Sequence, residues 1–479
     1  MSAILRKPAA LAIAFSALLL VAGCRSLTAD GGMSFVETVA NTELRKDVVA
    51  IRTADQADEA QRRVAALLQK PLTPDSAVQI ALLNNRGLQA AFNALGIAEA
   101  EMVQASLPPS PALSLERLSS PLELEIERRI VANILALVTL PARASIAADR
   151  FEQAKLKAAE ETLRIAAETR RSFYNAVAAR HVAAFLDQAK LAAETATKLA
   201  RRLGETGAMN KIDQTREQVF YAEVTGQLGA GRQRMSSERE RLIRTLGLWS
   251  DELKFALPGF LPELPRKPAT LPEIEIEAVQ RRLDLQAARI EVTALAKTYG
   301  LNQASRFVNL AELSGIQRTV KDRETGGKDR ARGYEAEIQI PIFDLGETRV
   351  RMAEQTYMQA VNRLAEKAVN VRSEARESYR TYRSAYDIAR HYRDEVVPLR
   401  KIISDETLLR YNAMQIDVFA LLAEARQRLA ANNQAIEAKR DFWLATVDLS
   451  VAVTGGGVAG MRNDGAKTAQ AASSGEAGH

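Results

Sequence analysis

At 479 residues the chain has room for two or three ordinary domains, but aromatic residues make up only 5% of it. Ala, Glu, Arg, Gln and Leu fill long stretches, a balance that favours long helices and coiled coils over a single globule. The net charge of +6 comes from 65 basic and 59 acidic residues interleaved along the same segments, a pattern of solvated helix faces that excludes a nucleic-acid surface.

The N-terminus opens with Arg6 and Lys7 ahead of an apolar stretch from Ala9 to Ala22, too short for a permanent span and typical of a cleaved signal. It ends in Leu20-Val21-Ala22-Gly23-Cys24, which resembles the bacterial lipobox, with Val21 standing where Leu is more usual. The resemblance implies that Cys24 receives a lipid, and Arg25 after it implies sorting to the outer membrane; the other reading is an ordinary secretory signal. Cys24 is the only cysteine, so no intramolecular disulfide forms.

From residue 24 to about 70 no strong period appears, and a linker with some helix is expected. Thr73 then supplies an N-cap with Pro74 at the first helical position, and the helix is expected to continue through Leu88 to about Ala105, where Pro108-Pro109-Ser110-Pro111 stops it. Two period-two segments follow, Ala112–Arg117 and Leu122–Glu127, with even positions staying apolar through Val138 save for Arg128. The pattern recurs as Phe307–Ile316, a polar loop Arg318–Gly333, and Tyr334–Ile340. One apolar and one charged face fit a membrane-barrel wall, and equally any two-sided antiparallel sheet.

Long helices flank these strands: Arg143–Leu203 and Ile212–Leu246 in the first half, Thr348–Asn412 and Ile416–Val453 in the second. From Val361 a heptad sets in, with Val361, Ala368, Ala375, Tyr382 and Ala389 at one position and Leu364, Val371, Ser378, Ala385 and Tyr392 at another, the mark of a left-handed coiled coil. Pro398 predicts a kink or local unwinding. The halves echo each other about 200 residues apart: Asn84-Asn85-Arg86-Gly87-Leu88-Gln89-Ala90-Ala91 against Arg281-Arg282-Leu283-Asp284-Leu285-Gln286-Ala287-Ala288, and Gly207-Ala208-Met209-Asn210-Lys211-Ile212-Asp213 against Ala413-Met414-Gln415-Ile416-Asp417. That separation far exceeds solenoid periods and predicts a duplicated half-molecule. The expected divisions are a signal peptide 1–23, a lipidated linker 24–70, a first repeat 71–256, a linker 257–270, a second repeat 271–454 and an unfolded tail 455–479.

Leu72-Thr73-Pro74-Asp75-Ser76-Ala77 with Asn84-Asn85, the run Arg282–Ala288, and Ile340-Pro341-Ile342-Phe343-Asp344-Leu345-Gly346 together resemble the TolC-type outer-membrane efflux proteins, over roughly residues 70–455. The resemblance implies a mainly α fold with a small β part. Long antiparallel coiled-coil helices would form a periplasmic α-barrel, and each chain of a homotrimer would give four strands to one twelve-stranded outer-membrane β-barrel. It implies a passive duct of a tripartite efflux or type I secretion system, served by a periplasmic adaptor and an inner-membrane pump. Thr139-Leu140-Pro141-Ala142-Arg143 matches the second-half junction poorly and leaves the first register open. A periplasmic coiled-coil adaptor or structural lipoprotein is the rival.

Enzyme chemistry finds no support: His181, His391 and His479 are scattered, no cluster has metal-ligand spacing, and no glycine loop cradles a phosphate, so no catalytic residue, metal or cofactor is expected. The candidate functional positions are instead the helix tips. In the family such tips, here Gly207-Ala208-Met209 and Ala413-Met414, form the periplasmic mouth and touch the adaptor, though a plain turn explains them too. Asp213 and Asp417 are candidates for the pore constriction or simple helix caps, with Arg410 and Lys211 as expected partners of Asp417. Ala420 stands where the family's second aspartate belongs.

Overall fold

The computed structural model describes residues 27–456, so the signal segment with Cys24 and the tail from 457 lie outside the described residues. The described residues form two compact units, one holding 27–33, 93–156 and 285–367, the other holding 34–92, 157–284 and 368–456.

Two helices open the second unit, α1 (Met33–Leu44) and α2 (Ala54–Leu68), where the sequence suggested mostly linker. Thr53 caps α2 through the Gln56 N–H, and Ala60 and Val64 bury one face at an i, i+4 spacing. The next helix, α3 (Pro74–Asn84), is capped as expected, with Thr73 and Ser76 exchanging bonds to each other's N–H and Pro74 leading the helix. It does not run on to Ala105: Asn85 turns extended (ψ 116°) before α4 (Arg86–Ser106) begins. The same break separates α8 (Ile274–Arg281) from α9 (Leu283–Ala304), where Arg282 has ψ 119°.

These breaks explain the repeated dipeptides. The Asn84 and Asn85 amides donate to the Gly247 and Thr245 carbonyls, 2.8 and 2.9 Å away, at the end of the return helix α7 (Lys211–Leu246). Gly247 sits at φ 71°, and a Cβ there would lie 2.8 Å from the Asn84 carbonyl oxygen, so only glycine fits. In the second half the return helix α12 (Val418–Thr454) ends at positive-φ Gly455, beside the Leu283 backbone. There Arg282, almost fully buried, is held by Asp284 at 2.9 Å and Glu374 at 2.5 Å. Two carboxylates around one guanidinium keep it charged despite burial, which works the other way.

The long outward helices are α6 (Leu140–Glu205) and α10 (Glu347–His391). Every expected heptad position from Val361 to Tyr392 is buried or half-buried. Val371, Ala375, Tyr382, Tyr386 and Ala389 pack with Phe442, Ala445, Leu449 and Val453 of α12 into one core. Tyr386 also donates to the Pro265 and Arg266 carbonyls, so the segment expected as a linker is tied to the seam. At the expected kink the helix widens into a π-turn (Tyr392–Val396), and α11 (Val397–Asn412) follows with Pro398 in its first turn. Pro398 has no N–H for the carbonyl four residues back, and the wider turn absorbs that loss.

In the first unit, β1 (Ala112–Ser119), β2 (Glu123–Asn133), β3 (Leu310–Asp322) and β4 (Lys328–Gln339) form one antiparallel sheet in the order β1-β2-β3-β4. Two expectations are corrected. The segment Arg318–Gly333 is not a loop: its ends extend both strands, with Arg318 opposite Ala331 and Lys321 opposite Lys328. Ladder bonds are made by the backbone, so charged side chains do not stop a strand. The true turn lies at 323–327, where Asp322 accepts the Glu324 and Thr325 N–H groups and Gly326 takes φ 70°. Conversely, the apolar run to Val138 leaves the sheet at Asn133, whose side chain accepts the Ala136 N–H and starts α5 (Ile134–Val138).

The second junction, Ile340–Gly346, is a tight turn with Leu345 at φ 49° and Gly346 at φ 72°. The Asp344 carboxylate accepts the Gly346 N–H at 3.0 Å, and a Cβ on Gly346 would fall 2.1 Å from the Arg306 carbonyl oxygen. The first junction has no such glycine: Thr139 passes straight from α5 into α6, with Pro141 in the opening turn.

Candidate functional site: sheet faces and helical tips

Cross-strand partners share a face and alternate along each strand, so the register sorts every side chain of the sheet. One face carries Leu113, Ile130 and Tyr334 in a single row, with Leu313, Ala132, Ala336, Ala311 and Ile338 towards the helix ends. Leu113 is 77% exposed, Tyr334 85% and Ile338 62%, a contiguous apolar patch of the kind that marks a membrane or protein interface. The opposite face carries Glu116, Glu125, Glu127, Glu312, Glu335 and Glu337 with only Arg129 and Arg318 among them. Arg129 bridges Glu127 and Glu335 at 3.1 and 2.9 Å, and Arg318 pairs with Glu125, so the acidic face is partly neutralised and stays net negative. β1 and β4 each have one side unpaired among the described residues.

The tips lie in the helical unit. The first closes where Gly207 takes φ 76° and the Ala208 and Met209 N–H groups return to the Leu203 carbonyl. Ala208 is exposed, whereas Met209 is buried. Asn210 caps α7 by accepting the Asp213 N–H at 2.9 Å. The second tip closes on Met414, a non-glycine residue at φ 56° and 94% exposed, beside the exposed Ala413. Left-handed geometry costs such a residue about 1–2 kcal/mol. Asp417 caps α12 by accepting the Ala420 N–H at 2.9 Å.

This geometry shifts the expected correspondence of the tips. Measured from the helix starts, Asp417 matches Asn210, both being caps, while Asp213 matches Ala420, both in the first turn of the returning helix. The sequence match aligned Asp213 with Asp417 because the identical letters outweighed a three-residue offset. The expected partners differ as well: Arg410 pairs with Glu406 at 3.1 Å on its own helix, and Asp213 pairs with Arg216. No ion pair joins Lys211 to Asp417 among the described residues.

One group near the tips went unnoticed in the sequence. Glu217, one turn beyond Asp213, is buried, and its Oε2 has no hydrogen-bond partner. Burial pushes its carboxyl above the usual range, while Arg426 pulls the other way. Arg426 lies over the Phe220 ring at 4.5 Å and donates to the Arg216 carbonyl, linking the two hairpins. Nothing in the local pattern separates Glu217 from the many solvated glutamates of these helices. Of the histidines, His181 packs edge-on against Phe260, and burial lowers its tendency to protonate. No group of His, Cys, Asp and Glu able to hold a metal occurs among the described residues, and none of their helices is long and apolar enough to cross a membrane.

Residues 276–404 match the family model described as outer membrane efflux protein. The cobalt-zinc-cadmium resistance protein CzcC of Cupriavidus metallidurans is 25% identical over 288 residues, covering 57% of this chain and 64% of that protein, so the chain spans less than two thirds of this curated relative. Among solved structures, the channel protein CusC superposes with a TM-score of 0.66 at 15% identity, over 82% of this chain and 92% of that one. The outer membrane protein VceC of Vibrio cholerae also gives 0.66, at 14% identity, over 85% and 99%. Residues 276–404 therefore resemble the outer membrane efflux protein family, and the fold of the chain is the one seen in these solved outer-membrane channel structures.

Proposed function

We propose that this chain is the outer-membrane channel of a tripartite efflux system, a passive duct that performs no chemistry and draws its energy from an inner-membrane pump through a periplasmic adaptor. The observation that carries the reading is a sheet with one exposed apolar face, one acidic face and two open edges, joined directly to long helices. In lipid an open edge leaves several kcal/mol of unmet hydrogen bonding per group, so only closure with other copies satisfies β1 and β4. Three copies give a closed twelve-stranded barrel with the apolar face towards lipid and the acidic face towards water. A periplasmic adaptor or structural lipoprotein, the rival reading, gains nothing from exposing Leu113, Ile130 and Tyr334.

In this reading Cys24 is the lipid anchor, the tips at Gly207–Met209 and Ala413–Met414 meet the adaptor, and Asp417, with Asp213 nearby in its own hairpin, lines the narrow end. The carboxylate-rich inner face favours cationic cargo, and the named role of CzcC in cobalt, zinc and cadmium resistance supports metal cations as the class. The test is detergent extraction followed by gel migration with and without heating, and conductance in planar bilayers. A heat-sensitive trimer with cation-preferring conductance is expected; a monodisperse monomer without conductance overturns the proposal.

A further inference from the structure

The membrane-facing side of the sheet changes character along its length. Beyond the row of Leu113, Ile130 and Tyr334, towards the hairpin turns, the same face carries six cations: Arg128 and Arg332, then Arg117 and Arg330, then Lys321 and Lys328. No carboxylate shares these rows, the remaining positions being Leu115, Gln317, Ile126, Thr319, Ser119 and Leu124. All six cations are exposed. The contrast with the other face is sharp, because there Arg129 and Arg318 are both ion-paired to glutamates.

Lys321 and Lys328 stand directly opposite each other. Like charges in that position weaken a sheet, and the fold compensates with nothing on that face. Successive rows on one face lie about 7 Å apart and adjacent strands about 4.8 Å apart. The cations are therefore spread as a patch of headgroup dimensions, and long side chains extend polar ends from an apolar wall into an interface.

We propose that this basic patch binds the phosphorylated headgroups of glycolipids in the outer leaflet, forming a cationic collar around the assembled barrel. The inference rests on the barrel reading above, which puts the hairpin turns at the outer surface and this face in lipid. Phosphate is the matching chemistry, since Arg offers it paired donors and Lys a point charge. Leu115, Ile126 and Leu124, interleaved with the cations, sit against the first carbons of the acyl chains.

The test uses the full-length trimer in phosphatidylcholine nanodiscs doped with bisphosphorylated lipid A or its dephosphorylated form. Lipid retained per trimer is counted by native mass spectrometry. The wild type is expected to retain the phosphorylated lipid selectively, and inorganic phosphate added in solution is expected not to displace it. Arg128→Gln/Arg330→Gln/Arg332→Gln should weaken retention, by about fivefold per charge removed. Arg129→Gln/Arg318→Gln, an equal type of change on the other face, should not. Should the triple variant fail to assemble, single Arg330→Gln carries the same comparison. A normal trimer with normal conductance whose retention is indifferent to lipid phosphorylation, or to the Arg128/Arg330/Arg332 changes, overturns the collar and leaves the channel standing. Displacement by inorganic phosphate would make the patch a soluble-anion site and also overturn it. Failure of the wild type to form trimers at all would instead overturn the barrel reading.

Discussion

Replacing Ile338 with arginine separates a lipid-facing wall from any other two-sided sheet. Ile338 lies opposite Ala311, on the face with Ala336, Leu313 and Tyr334, and is 62% exposed in the single chain. It stands six residues along β4 from Arg332, about 20 Å at strand rise, well away from the basic rows where arginine is already accommodated. Arginine on the lipid face of a membrane barrel costs about 2–4 kcal/mol near the midplane and little near the interface. Taking about 2–3 kcal/mol for Ile338, three copies together would destabilise a trimer by about 6–9 kcal/mol. The control is Glu337→Arg, one residue away on the opposite face, where Glu337 faces Glu312. Relief of that like-charge pair should be neutral or stabilise by about 0.2–1 kcal/mol per copy. The assay is the temperature at which extracted trimers dissociate on a gel, supported by the yield of trimer in the membrane. Ile338→Arg should abolish or sharply lower trimer survival while Glu337→Arg leaves it unchanged. Equal effects of the two changes would refute the assignment of faces, and with it the barrel.

Three further outcomes are expected. Metabolic labelling with a fatty acid should mark the wild type and not Cys24→Ser; equal labelling would leave Cys24 an incidental residue. Asp417→Asn keeps the cap on Ala420 and should leave helix content intact while reducing cation preference in planar bilayers, whereas Asp417→Ala also loses about 1 kcal/mol of capping. If Asp417→Asn leaves selectivity untouched, the residue is a cap only. Because burial raises the Glu217 carboxyl pKa in the fold, its contribution to stability is present below the unfolded value of about 4.3 and is lost as pH rises through the folded value. Glu217→Gln should therefore raise the melting temperature at neutral pH and flatten the pH profile; melting curves parallel to wild type at every pH would contradict this.

The heptad from Val361 was legible because a coiled-coil seam is written in local spacing, and every position it named is buried or half-buried. The break at Asn85 was not, since Leu83 and Leu88 continue an apolar pattern across it. What imposes the break is remote: the asparagine amides reach carbonyls about 160 residues away. Strand existence was visible from period two, yet strand ends were misjudged in both directions. Arg318 and Arg330 look like loop residues until the partner strand is known, and Ile134–Val138 looks like strand until the Asn133 cap is seen. At the tips the cap reading holds for Asp417 and fails for Asp213, which sits in the first turn of a helix capped by Asn210. A helix start is set by which side chain accepts an N–H, and Asn210 serves as well as Asp417.

The two open edges of the sheet are unequal, and this bears on how a closed barrel is held together. β1 has 8 residues and β4 has 12, so on closure part of β4 meets no β1 partner. In the register of one chain Ala112 is level with Glu335, which puts Ala336–Gln339 beyond the start of β1, on the side of the helices. The residues before β1 are Pro108, Pro109, Ser110 and Pro111, and the three prolines have no N–H to give a neighbouring strand. The ladder between copies is therefore cut short by covalent structure, whereas β3 and β4 pair along their length within one chain. Fewer hydrogen bonds at the closing seam make it the weak line of the barrel. Which β4 groups are left unmet is set by the stagger between copies, and those groups must be satisfied by water, headgroups or residues outside the strands. In the proposed trimer, closure of the sheet thus depends on the helices bringing copies into register, so loss of the seam around Tyr382, Tyr386 and Phe442 should release the barrel as well.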